Sequence, residues 1–333
     1  MSFTRYNTED SVISSETVVR GLWSGDAYEL SQIFTSSITP NEYYLDVYNA
    51  NLSLNPSASV QFSIQFGNVN GSGSAPINSA VPGYSPSRVV YGQYRNLVYG
   101  TETTNFSFDG GSTTSDSIYV INISRARYKE SLLPGSLNLT LSGSATGSLK
   151  LTDDSGTTNL TRFIGENRYF NIISGSNGSY FTSGSATTYY GLFFPDLDII
   201  VLNANALTSS IGGGYYVDYN TGSTTAFNHR NLFTSINKGA VTSSFTLKSS
   251  ETVSARYFFT RIKNGEYNYT TNPSIIDENG NLLYTTLVNN PQTYITTVGM
   301  YNDNNELLAV AKLSKPLVKD FTKEALIRVK LDY

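Results

Sequence analysis

The sequence predicts an all-β protein of sandwich-like modules joined by long loops, with at most one or two short helices. Three observations carry this. Val60-Gln61-Phe62-Ser63-Ile64-Gln65-Phe66 alternates apolar and polar without a fault, the period of a strand with one buried face. Aromatic residues make up 13% of the chain, with 25 Tyr and 17 Phe, and these types fit a pleated, half-buried surface. Charged residues make up 14%, against about 25% in an ordinary soluble domain. Polar surface therefore comes from Ser, Thr, Asn and Gly, the residues of turns and loops. Disorder does not fit, because 39% of the residues are hydrophobic and spread along the chain, enough to offset ordering entropy.

Taken in order, residues 1–40 read as an N-terminal arm with too little apolar area to fold alone, suited to packing on the body or a neighbour. Tyr43 to Asn49 and Val60 to Phe66 are strands. Gly67 to Gly83 is a long exposed loop rich in Gly, Ser, Asn and Pro. Ser87 to Tyr99 is the best helix: Val90, Tyr94, Leu97 and Val98 fall at helical spacing, Pro86 suits its start and Gly100 its end. Ser117 to Ile123 is a strong strand.

Leu137, Leu139 and Leu141, then Leu149 and Leu151, continue the alternation. Asp154-Ser155-Gly156 and Gly175 to Gly178 read as hairpin-type turns. Ile199 to Leu202 suits a strand buried on both faces. Val253 to Ile262, Thr293 to Val298, Leu307 to Leu313 and Ala325 to Leu331 complete the strands, with Pro316 separating the last two. This organisation predicts a body formed by 41–135 and 226–333, with 136–225 as an inserted β region.

The net charge of −4 and the scattered basic residues argue against nucleic acid. The densest basic stretch, from Lys312 to Lys330, is interrupted by Asp320 and Glu324 and reads as a charged sheet face. With no cysteine there is no disulfide or thiolate site. No apolar run is long enough for a membrane span and the N-terminus has no signal-like apolar stretch, so folding in a reducing cytoplasm is expected.

Catalytic machinery is scarce. The single histidine, His229, stands in Phe227-Asn228-His229-Arg230-Asn231 and reads as a hydrogen-bonded loop residue. No G-x-S-x-G elbow presents a serine. Gly212-Gly213-Gly214 lacks the Lys-Ser/Thr of a phosphate loop. Asp196 and Asp198, two apart after Pro195, keep a glycosidase-type carboxylate pair open, and Asp153 with Asp154 reads as a turn. No catalytic residue, metal or cofactor is assigned. Tyrosine points elsewhere, since it supplies rigid contact area at small entropic cost. Tyr84, Tyr91, Tyr94 and Tyr99 form one group and Tyr215, Tyr216 and Tyr219 a second; both are expected at subunit contacts.

Several stretches resemble virion structural proteins of T4-like myophages of marine cyanobacteria. They are Gly83 to Arg88, Tyr91 to Arg95, Tyr190 to Asp196, Thr293 to Asn302 and Glu324 to Asp332. The likeness runs from about residue 17 to the end and is weakest across 136–188. It implies a non-enzymatic tail, baseplate or neck subunit, assembled in the bacterial cytoplasm and carried in the particle. Its implied partners are other virion proteins and copies of itself. A receptor- or glycan-binding module of a tail fibre, meeting host surface glycan through the tyrosine-rich loops, is the alternative. A polysaccharide-degrading enzyme built on Asp196 and Asp198 is the third reading.

Overall fold

The computed structural model describes residues 5–35, 43–73, 85–108, 113–142, 148–157, 161–181, 188–209, 227–238, 245–270 and 272–332. It is mostly β. The chain divides into a small unit, Met1–Glu16 with Thr252–Tyr333, and a large unit, Thr17–Glu251. It passes between them twice, within two long strands. These boundaries differ from those expected at 40, 135 and 225. The first stretch is shared between the units: residues up to Glu16 fall in the small one, while Leu22, Trp23, Leu30 and Ile33 pack into the large unit's core. Residues 136–225 are no separate insertion, because their strands pair into one sheet with those of 41–135.

In chain order the elements begin with β1 (Ser11–Gly21), β2 (Glu29–Leu30), β3 (Phe34–Thr35), β4 (Leu45–Tyr48), β5 (Val60–Asn68) and helix α1 (Pro86–Tyr99). There follow β6 (Phe106–Phe108), β7 (Thr113–Ser115), β8 (Ser117–Ile123), β9 (Ser131–Leu132), β10 (Asn138–Ser142) and β11 (Ser148–Asp153). Next come β12 (Arg162–Ile164), β13 (Asn167–Ser176), β14 (Ser179–Tyr180), β15 (Gly191–Phe194), β16 (Ile199–Asn203), α2 (Ala204–Ser209) and α3 (Asn228–Lys238). The chain finishes with β17 (Phe245–Thr246), β18 (Lys248–Ile262), α4 (Thr286–Asn289), β19 (Thr293–Tyr301), β20 (Leu307–Lys319) and β21 (Ala325–Asp332). Among the described residues four α-helices therefore stand where one or two were expected, and the extra ones are short.

The large unit is built on a 13-stranded sheet in the order β2-β17-β10-β11-β13-β15-β16-β8-β5-β4-β3, with β12 and β14 also on β13. Its pairs are antiparallel, as in Ile64↔Ile121 and Val201↔Val120. The sheet curls on itself. Phe62 of β5 and Phe245 of β17 have six strands between them in this order, yet their rings meet edge-on at 5.3 Å. Trp23 joins them, 4.9 Å from Phe245 and 6.0 Å from Phe62, and its Nε1 donates to the Phe245 carbonyl at 2.9 Å. Leu207 of α2 and Leu232 and Ile236 of α3 complete this inner core.

A second core lies on the other side of the sheet. Along β8, Tyr119, Ile121 and Ile123 face the inner core, while Ile118 and Val120 face the outer one. Helix α1 covers that outer face with Val90, Tyr91, Tyr94 and Val98. Ser85 accepts from the Arg88 N–H at its start, Pro86 takes the first turn, and Gly100, at φ +67°, ends it in the left-handed region. The helix lies close on β5: a Cβ at Gly67 would fall 2.9 Å from the Tyr91 nitrogen, so only glycine fits.

The small unit is built differently. β18 pairs with β21 over eight residues, from Ala255↔Asp332 to Ile262↔Ala325, in the order β1-β18-β21. β19 and β20 form a long hairpin. Pro316 does not end a strand as expected; it falls where the register jumps from Lys312 to Leu317, a bulge that needs no N–H from it. Four buried side chains, Ile262, Met300, Ile327 and Val329, form the core cluster, flanked by half-buried Phe258, Ile295, Val298 and Leu317. Lys319 is also buried, not part of a charged face. Its Nζ donates to the carbonyls of Asn264 and Asp320 (2.9 Å each) and to Asn268 Oδ1 at 2.8 Å.

Two outcomes follow from this packing. Phe62→Ala opens a cavity beside Trp23 and should cost about 3–5 kcal/mol. Denaturation followed by emission of Trp23, the single tryptophan, measures it. Lys319→Ala leaves three acceptors without their donor, two of them buried, at about 1–3 kcal/mol each for the groups that stay dry. Amide exchange should quicken across 263–268 and 319–322 while the large unit's amides keep their protection.

Candidate functional site

The tyrosines expected at subunit contacts separate into three sets. Tyr84, Tyr215, Tyr216 and Tyr219 lie outside the described residues. Tyr91 and Tyr94 are buried within this chain, which corrects their expected place on the surface. The Tyr91 hydroxyl donates to the Ser115 carbonyl at 2.8 Å and accepts from the Phe106 N–H at 2.9 Å. Burial pushes its pKa up to about 12. Tyr94 donates to Gln65 Oε1 and accepts from Asn122 Nδ2 at 3.3 Å. Tyr99 is half-buried, stacked edge-on against Phe106 and accepting from the Ser107 N–H. The cause is the helix's inward stripe: Tyr91 takes the buried place and Leu97, expected inside, is exposed.

The acidic pairs are held by the protein itself. Asp196 is ion-paired with Arg168, at 2.8 Å and 3.1 Å. Asp198, in the turn between β15 and β16, is buried, at φ +58°. Asp153 accepts from the N–H groups of Gly135 and Ser155, and burial holds its pKa above the usual range. Asp154, fully buried, accepts from Arg162 at 2.8 Å and from the backbone and side-chain nitrogens of Asn171. His229 is buried on α3, edge-on to Phe227. Among the described residues no group of three or more His, Asp or Glu is placed to hold a metal ion. No helix among them is long and apolar enough to cross a membrane.

The small unit presents the most unusual surface. It holds under a third of the chain, yet fifteen of the twenty-three exposed large apolar side chains among the described residues belong to it. Nine of them fall in two features. One is a groove of about 1530 Å³, lined by Tyr6, Tyr269, Val288 and Phe321 and floored by Met300 and Ile327 of the unit's own core. The other is a stripe at the start of β20. The register passes from Met300↔Ala309 to Tyr301↔Leu307, so Leu307 and Leu308 share one partner across the hairpin. This bulge turns both outward, with Val310 beyond them; Leu308 is 69% and Val310 57% exposed.

Sequence reading missed this surface. Leu307-Leu308-Ala309-Val310-Ala311 is recognisable as part of a strand, but its apolar pattern does not tell which face finds cover. Only the structure shows that one face has no cover. Comparison with protein-family models, with curated proteins and with solved structures finds no match in any of the three.

Asp198 gives this region a pH dependence. Burial raises its pKa to about 6, against the lowering pull of the Tyr128 hydroxyl and the Arg125 charge, while Asp196 adds to the rise. An unfolded Asp titrates near pH 4, so the folded state holds this proton more tightly. The stabilisation is complete below that value and is lost as the pH rises through about 6. Asp198→Asn does not ionise, still accepts from Tyr128 and tolerates positive φ. It should be more stable than wild type at pH 7, with the difference vanishing near pH 4, as read from denaturant midpoints.

Proposed function

We propose that this chain is a structural subunit of a larger assembly, gripped by its neighbours through the small unit. The observation that carries this is the mismatch between that unit's sparse core and its abundant exposed apolar side chains. Fifteen exposed large apolar side chains on under a third of the chain concentrate apolar surface well beyond that of the large unit, and concentrated apolar surface marks an interaction site. A surface of this kind is retained where a partner covers it.

The particular assembly we propose is a contractile-tailed phage particle, in its tail, baseplate or neck. The support is the resemblance of the segments Tyr190 to Asp196, Thr293 to Asn302 and Glu324 to Asp332 to virion structural proteins of T4-like cyanophages. The low charge content and the abundant Tyr agree with a component surrounded by neighbours. In infected cells a tagged chain should co-purify with assembled tails at fixed stoichiometry. Recovery of the chain solely as free protein, with complete tails lacking it, would overturn the proposal.

A further inference from the structure

We infer that the small unit joins copies of this chain head to tail, the apolar stripe of one copy seating in the groove of the next. The inference rests on the reading of the chain as an assembly subunit and names the surface and the partner.

Three observations select a second copy as the occupant. First, both halves of a contact are present on one unit and on different residues. Leu307, Leu308 and Val310 stand outside the groove, whose lining includes Tyr269, Val288 and Phe321. A protruding apolar stripe and an apolar hollow on the same body fit a heterologous contact, in which each copy uses one patch to give and another to receive. Second, the size suits a protein. The hollow of about 1530 Å³ exceeds the ~300–1,000 Å³ of small-molecule pockets. Its floor of Met300 and Ile327 belongs to the unit's own core, so leucines entering it extend a core that is short of side chains. Third, charge does not oppose the contact. The small unit carries ten Lys or Arg against eleven Asp or Glu, interspersed, so two copies meet nearly neutral.

Repetition of such a contact closes a ring when the rotation between copies returns to its start, and otherwise builds a filament. Either product is a framework on which an assembly is built.

The test uses the purified full chain in sedimentation velocity at micromolar concentrations, with two variants at exposed positions. Leu308→Glu removes the stripe and Val288→Glu blocks the groove; both residues are more than 60% exposed. Unchanged circular dichroism and melting should show that both variants fold. The wild type should form oligomers, and each variant alone should weaken association by at least tenfold. Mixed in equal amounts, the variants should form dimers and stop there, because one keeps an intact groove and the other an intact stripe. A wild type that stays monomeric overturns the inference, as does a variant that assembles like wild type, or a mixture that stays monomeric. A monomer whose groove binds a glycan or an extended peptide, lost in Val288→Glu, overturns it in favour of that ligand. If the chain is monomeric but still co-purifies with tails, the head-to-tail contact fails and the subunit reading stands. Absence from tails alongside oligomers of the pure chain gives the converse.

Discussion

The large unit depends on the contact of Trp23, Phe62 and Phe245. A sheet of this many strands has two ends, and each end exposes unpaired backbone and one apolar face. Curling brings Phe62 and Phe245 together across six intervening strands, and Trp23 fills the space beside both. Aromatic pairs of this kind contribute about 0.5–1.5 kcal/mol each beyond the area they bury. The Trp23 Nε1–H would be costly without a partner inside that core, and the Phe245 carbonyl supplies one. The residues that close the sheet thus come from three distant places in the chain.

The same economy accounts for the scarcity of charge. β8 and β16 are buried on both sides, by the inner core on one and by α1 on the other, so they carry no ionic residue. Tyrosine replaces charge as the polar residue of the interior. Tyr91 and Tyr94 place their rings among apolar neighbours and satisfy their hydroxyls with Ser115, Phe106, Gln65 and Asn122. Where charge is buried, as at Asp154 and Lys319, each group is surrounded by donors or acceptors from the protein, as desolvation demands. Asp198 is the less comfortable case, and burial shifts its proton equilibrium accordingly.

The small unit obeys the opposite rule. Its strands alternate correctly, but the side chains on one side have little to pack against. A unit of this size buries a smaller share of its surface on folding than a larger one does, which limits the stability its own core can supply. Leu307, Leu308 and Leu326 are exposed on strands that are otherwise well formed. Burial of these side chains by a partner would stabilise the unit as it binds.

Local pattern, alternating or continuously apolar, determined the strands. Val60 to Phe66, Ser117 to Ile123, Ile199 to Leu202 and Ala325 to Leu331 stand within a residue or two of where their pattern places them, and α1 begins and ends at Pro86 and Gly100 as its signals require. Those are local rules, set by the pleat and by the backbone freedom of Pro and Gly. What tertiary structure decided is which face of each element finds cover. A helical stripe admits either Tyr91 or Leu97, and contact with β5 buries the tyrosine. An apolar run such as Leu307 to Ala311 is compatible with two buried faces or one, and the hairpin leaves one open. Helix α3, with Asn228, His229 and Ser235 on its buried side, takes its place from the curled sheet that encloses Leu232 and Ile236. Burial is a property of neighbours brought from far along the chain, and no local period encodes them.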